Sequence, residues 1–227
     1  EDLKRRDFTV NAFALSEEGE IIDLFKGLED LENQILRAVG VATERFNEDA
    51  LRIMRGFRFQ ASLGFELEVA TFEAMKECVP LLEKISVERT FIEFDKLLLS
   101  PYWSQGLKAM LASQAYRYLP EMRDRKIAIE RLFDIELEYT FSTSEQAWAA
   151  LVLALDIQDI PKFFKKWKTS REFAKTVEQI VEILKLREKG SLDKRACYKY
   201  DKRLLLVAEE LREAYGLSVD YLAIERV

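Results

Sequence analysis

The stretch Asn47-Glu48-Asp49-Ala50-Leu51-Arg52-Ile53-Met54-Arg55-Gly56-Phe57-Arg58-Phe59 places apolar side chains at Leu51, Met54, Phe57 and Phe59 among arginines at every third position. That spacing predicts a long amphipathic helix running to the break at Leu63-Gly64-Phe65. Asn47 is the expected N-cap. Glu48 and Asp49 then fall in the first turn, where the helix dipole favours anions. Asp49 and Arg52 are three apart and Glu48 lies four before Arg52, so all three share a face. Read alone, they form ordinary intrahelical ion pairs, each stabilising the helix by about 0.2–0.5 kcal/mol.

Upstream, Asp7 to Leu15 alternates loosely and is rich in β formers. The turn Ser16-Glu17-Glu18-Gly19 follows, and then a short strand, Glu20 to Phe25. Together they predict a β-hairpin, which is marginal alone in water and needs a partner. From Leu28 the period becomes helical, with Leu28, Leu31, Ile35 and Leu36 on one face up to Gly40. Downstream, helices are expected over Glu68 to Cys78 and from Ser86, an N-cap, with Phe91, Phe94, Leu97 and Leu98 facing the core. Beyond Pro101 the chain reads as helix throughout: Ser104 to Ala112, Lys126 to Glu136, Ser144 to Leu155, Ile160 to Trp167, Ser170 to Leu186, Asp193 to Tyr198 and Arg203 to Tyr215. The fold class is α+β, predominantly α: a small β part followed by helical subdomains.

Composition excludes several chemistries. The 227 residues are 48% hydrophobic and 33% charged, with 8 Gly and 4 Pro, as in a globular chain rich in helix formers. No run approaches the length of a membrane span. Histidine is absent, which removes Ser-His and Cys-His machinery and His-ligated zinc. Cys78 and Cys197 stand far apart with no C-x-x-C neighbour, and read as incidental or buried thiols of a cytoplasmic protein. The net charge of −6 disfavours a nucleic-acid partner on average, though local stripes can oppose an average. The first residue is Glu1 and not methionine, which points to truncation or processing upstream.

Three motifs add a more specific reading. Arg5-Arg6-Asp7-Phe8-Thr9-Val10-Asn11-Ala12 places two guanidinium groups and a carboxylate at a strand entry, where they can meet phosphate and ribose hydroxyls. As a whole word it resembles the ribose-and-phosphate motif of tRNA nucleotidyltransferases and bacterial poly(A) polymerases. The resemblance implies nucleotide contacts for Arg6, Asp7 and Asn11, with Arg5 in support. Asp23…Gly27…Asp30-Leu31 is similar to the family's hinge between catalytic head and neck. The family often has proline and a second glycine where this chain has Leu24 and Lys26, a departure that puts the flexibility of the hinge in question.

Glu48, Asp49 and Arg52 match the family's E-D-x-x-R motif, which reads the base. The chemistry behind that role is simple. Cytosine and adenine present an amine donor beside an unprotonated ring nitrogen, and a carboxylate beside a guanidinium offers the complement. Uracil and guanine carry a carbonyl and a protonated ring nitrogen, and would leave both protein groups unpaired at high cost. The resemblance implies that Asp49 and Arg52 contact the base, Glu48 orients Arg52, Arg55 faces the triphosphate, and Arg58 does the same or contacts RNA. Phe46 and Phe59 are expected in the core. Glu88, Arg89 and Glu93 match E-R-x-x-x-E, which braces the turn holding the template helix.

In the family, a D-x-D strand binds two magnesium ions for nucleotidyl transfer. Neither it nor the preceding glycine-rich segment occurs in this chain, so no catalytic or metal-binding residue is expected here and both are expected upstream. A tail is expected after Val227. The resemblance implies a CCA-adding tRNA nucleotidyltransferase of class II, using CTP and ATP on tRNA, with no membrane or protein partner. A bacterial poly(A) polymerase, an A-adding or CC-adding relative, and a non-catalytic helical RNA-binding module are the alternatives. The expected domains are the remnant of the nucleotidyltransferase head or palm (1–44), a nucleotide-selecting helical neck (45–100) and a helical body reaching the start of a tail (101–227). Lys162, Lys165, Lys166, Lys168 and Arg171, interleaved with Phe163, Phe164 and Trp167, fit tRNA backbone contact. They fit a solvated helix face with a buried aromatic side equally well.

Overall fold

Phe13–Leu15 (β1) pairs antiparallel with Ile21–Asp23 (β2), registering Phe13 with Asp23 and Leu15 with Ile21. The Ser16 hydroxyl closes the turn by accepting from the N–H groups of Glu18 and Glu20. In this computed structural model, which describes residues 1–226 and so leaves Val227 of the expected body outside, the hairpin forms but is shorter than its sequence suggests. Asp7 to Leu15 is not one strand. Thr9–Asn11 is a turn of 3-10 helix, and Phe8 bridges to Ala38 instead. The cause lies in the next element, Gly27–Asn33 (α1). The Thr9 hydroxyl donates to the buried Asp30 at 2.6 Å. Gly27 packs so closely that a Cβ there would lie 2.0 Å from the Thr9 carbonyl oxygen.

The apolar face expected across Leu28, Leu31, Ile35 and Leu36 does not form. The α1 helix ends at Gln34, whose φ is 56°, and Leu28 and Leu31 are exposed. Ile35–Leu36 (β3) instead pairs in parallel with Glu66–Leu67 (β4). The single long helix expected after Asn47 is also interrupted. Ala42–Glu48 (α2) stops at Asp49, which is extended at φ −150°, and Leu51–Leu63 (α3) begins two residues later. The Asp49 carboxylate accepts from the Leu51 N–H at 3.1 Å, a local bond that competes with helix continuation. Asn47 therefore closes α2 instead of capping α3, and its amide donates to the Thr43 carbonyl.

Val69–Cys78 (α4), Val87–Leu98 (α5) and Trp103–Ala112 (α6) complete the first compact unit, Glu1–Leu119. Ser86 caps α5 as expected, accepting from the Arg89 N–H. Gly106 lets α6 approach α3 so closely that a Cβ would sit 2.7 Å from the Phe57 carbonyl. Phe8, Phe46, Met54, Phe57, Phe94 and Trp103 are fully buried around this contact. Each stabilises the fold by about 1.5–3 kcal/mol through burial.

The second unit runs from Pro120 and is wholly helical among the described residues. It comprises Lys126–Glu130 (α7), Ser144–Ala154 (α8), Ile160–Lys166 (α9), Arg171–Lys189 (α10), Lys194–Lys199 (α11), Lys202–Ala214 (α12) and Tyr221–Glu225 (α13). The α7 helix is shorter than the predicted Lys126 to Glu136 because Arg131–Asp134 tightens into 3-10 helix, and α13 has no counterpart in the sequence reading. Thr143, Asp159, Ser170, Asp193 and Asp201 cap α8 to α12 with side-chain oxygens. Trp148 meets Trp167 edge-on at 5.0 Å in the core. Near the other end of α10, Arg187 donates to the fully buried Glu209 at 2.5 Å; Arg187 also donates to the Gly190 and Ser218 carbonyls, and Glu209 accepts from the Asp220 N–H. The chain is thus predominantly α with a small β part, as its patterning implies.

A candidate anion-binding cleft

Two sequence-distant segments meet in the first unit around a cleft of about 570 Å³. The turn after Asp2–Arg5 supplies Arg5, Arg6, Asp7 and Asn11, while α3 supplies Arg52 and Arg55; Val10, Phe13 and Phe59 form its apolar lining. Four arginines stand against one aspartate, although the chain as a whole is acidic. Such a concentration of guanidinium groups suits a polyanion.

Arg6 pairs with Asp2, Arg52 with Glu48 and Arg55 with Asp7. Asp7 is buried; one oxygen accepts from the Phe8 N–H at 2.9 Å and the other from Arg55 Nε at 2.6 Å. Glu93, buried on α5, lies 3.8 Å from Arg55 and also accepts from Arg58 Nε. The Arg58 and Arg55 guanidinium groups stack 4.3 and 5.0 Å from the Phe59 ring. Phe59 is therefore half-buried, lining the cleft and meeting Phe8 edge-on, whereas Phe46 is in the core as expected.

Arg52 donates to Glu48 at 2.7 Å, to the Arg45 carbonyl at 3.0 Å and to the Arg5 carbonyl at 2.7 Å. The hydrogen bond from Arg52, with Arg45 adding to it, holds the Glu48 carboxyl below the usual carboxylate range. Asp49 stands ahead of α3 and pairs with Arg89 of α5 at 3.0 Å. The shared helix face expected for Asp49 and Arg52 is thus replaced by a bend, with Arg89 holding one group and Glu48 the other. Glu88 lies exposed in the first turn of α5. Arg5, Arg6, Asp7, Asn11, Arg52 and Arg55 line the cleft; Glu48, Asp49 and Arg58 stand outside its lining.

Asp23 accepts from the N–H groups of Gly27 at 2.8 Å and Leu28 at 3.0 Å, and Lys26 adopts the left-handed region at φ 57°. Glycine favours that conformation, which gives a physical reason for a glycine at this place. Gly27 itself is required for close approach to Thr9, not for freedom of φ. In the second unit, Lys162, Lys165 and Lys166 of α9 face outward while Phe163, Phe164 and Trp167 are buried, and Lys166 pairs with Glu121. Sequence reading missed Arg45, Val10 and Phe13. Arg45 was signalled by its three-residue spacing from Glu48 and Val10 by its place within the Arg5–Ala12 motif; Phe13 carries no local signature.

Three family models match successive parts of the chain: the poly A polymerase head domain over residues 1–37, the RNA and SrmB-binding site of polymerase A over 64–125, and tRNA nucleotidyltransferase domain 2 over 139–226. The CCA-adding enzyme of Streptococcus sanguinis is 66% identical over 227 residues, covering 100% of this chain and 57% of the relative. That of Streptococcus pneumoniae is 67% identical over 224 residues, covering 99% and 56%. The chain thus spans a little over half the length of the curated relatives it matches. Among solved structures, the Bacillus stearothermophilus CCA-adding enzyme in complex with CTP superposes with a TM-score of 0.91 at 33% identity, covering 99% of this chain and 57% of that one. Motifs, fold and relatives agree, and the chain belongs to the tRNA nucleotidyltransferase/poly(A) polymerase family.

Proposed function

We propose that this chain is the nucleotide-selecting and RNA-facing part of a CCA-adding tRNA nucleotidyltransferase, acting in the cytoplasm on tRNA with CTP and ATP. The observation that carries the reading is the convergence of Arg5–Asn11 and Arg52–Arg55 on one arginine-rich cleft. In this reading Arg6 and Arg55 meet the triphosphate, with Arg58 beside them. Asp7 and Asn11 meet the ribose. Arg55 is then shared between Asp7 and the incoming phosphates. Asp49 and Arg52 read the base edge, Arg52 oriented by Glu48 and Asp49 by Arg89, with Glu88 beside Arg89 in support. Asp23 and Gly27 form the joint between head and neck, and Lys26 in its left-handed conformation fixes the path of the chain through it.

The residues present do not fit magnesium. Asp7 is committed to Arg55 and its neighbour's N–H, and no cluster of three potential ligands exists among the described residues. The proposal therefore assigns metal binding and nucleotidyl transfer to protein outside these 227 residues. The exposed apolar side chains of Leu15, Ile21 and Leu24 support such a neighbour for the hairpin. No helix among the described residues is long and apolar enough to cross a membrane.

The test is incorporation by the full-length protein. A tRNA ending before its CCA, offered each nucleoside triphosphate separately and then together, should receive C and A only. Comparable incorporation of U or G, or extension into a run of A, overturns the assignment.

A further inference from the structure

Glu48 is half-exposed, and its side chain alone has no reason to hold one rotamer. Its two oxygens are nonetheless fixed separately: Oε2 accepts from Arg52 at 2.7 Å and Oε1 from Arg45 at 2.7 Å. Arg45 sits on α2, with its side chain 14% exposed. It also donates through Nη1 to the Lys4 carbonyl, while its own carbonyl accepts from Arg52. Arg52 continues the pattern by donating to the Arg5 carbonyl, one residue on. Arg45 thus touches every element that determines where the Arg52 guanidinium lies: Glu48, Arg52 through its backbone, and the turn that delivers Arg5, Arg6 and Asp7. Arg45 Nε is buried without a hydrogen-bond partner. A side chain that accepts this cost is held by its two other nitrogens.

We propose that Arg45 is a positioning residue for nucleotide selection: it clamps Glu48 and the Asp2–Arg5 turn, and so fixes the direction of Arg52 and its register against the cleft. The inference rests on the nucleotide-selecting reading above. A base-reading guanidinium discriminates only if it cannot swing to a wrong partner, because a small misplacement of a positioned group is costly. Lysine cannot replace it, since an ammonium lacks the planar fork that reaches a carboxylate and a carbonyl in two directions at once.

The test compares Arg45→Ala, Arg45→Lys and Glu48→Gln, singly and as Arg45→Ala/Glu48→Gln, in the full-length protein. The readouts are kcat and KM for CTP and ATP, and incorporation of UTP and GTP. Arg45→Ala should raise KM and relax discrimination about tenfold. Arg45→Lys should lie near Arg45→Ala, and the loss in the double variant should fall short of the sum of the two single losses. Should Arg45→Ala fail to fold, Arg45→Lys carries the same expectation. Wild-type discrimination in the Arg45 variants, or additive losses in the double variant, overturns the proposal. Arg52→Ala separates the two readings. If it too leaves discrimination intact, the nucleotide-selecting reading fails; if it relaxes discrimination and Arg45 variants do not, only the role of Arg45 fails.

Discussion

The two units hold arginine–carboxylate pairs under opposite conditions. In the second, Arg187 and Glu209 are buried, and the pair is closed off by backbone groups from Gly190, Ser218 and Asp220. In the first, Arg52–Glu48 and Arg55–Asp7 stand at an open cleft, each with one member partly exposed. A buried pair that loses one partner leaves a charge that water cannot reach. A pair whose carboxylate is exposed, as in Arg52–Glu48, can exchange partners with a ligand at modest cost, whereas Arg55 must keep its bond to the buried Asp7. The difference separates groups that build the fold from groups that remain available for chemistry.

The strongest challenge to that comparison is Glu209→Ala. It should destabilise the α10–α12 region by about 3–5 kcal/mol, read by hydrogen exchange at the α10 and α12 amides. Unchanged protection there would mean that the pair is not structural. Gly27→Ala comes next. A Cβ 2.0 Å from the Thr9 carbonyl must push α1 off the segment carrying Asp7, costing roughly 1–3 kcal/mol and weakening exchange protection at Thr9 and in α1. Normal protection there would make Gly27 a flexible joint instead. The smallest effect on stability belongs to Glu48→Gln, expected within about 0.5 kcal/mol of the parent by thermal unfolding.

The same carboxylate predicts a pH dependence. Because the Glu48 pKa is lowered on folding, its contribution is complete above the usual carboxylate range and is lost only as acid carries the pH down through the lowered value. Selectivity limited by Glu48 should therefore persist at a pH of about 5, measured as the ratio of CTP to UTP incorporation. A loss already on approaching that pH would show that Glu48 is not held as described.

Much of this was legible in the sequence because it is local. The three-residue spacing of Arg52, Arg55 and Arg58, the Ser86 cap and most helices of the second unit follow from short-range periodicity and capping. What was not legible depends on partners far along the chain. The bend at Asp49 arises where its bond to Leu51 competes with the helix and Arg89, 40 residues on, holds the other oxygen. The commitment of Asp7 to Arg55 spans 48 residues. The β3–β4 pair is two residues long and leaves no period to read. Leu28 and Leu31 read as core by spacing, yet Gly27 and Asp30 are what α1 buries.

Asp49, one-third exposed and paired with the exposed Arg89, is the group proposed to read the base. The direct measurement is the ratio of CTP and ATP to UTP and GTP incorporation by full-length Asp49→Ala on a tRNA lacking its terminal CCA. Discrimination should fall about a hundredfold or more, as expected where a polar site loses the group that rejects the wrong pattern. Parental discrimination in a folded Asp49→Ala protein would contradict the account.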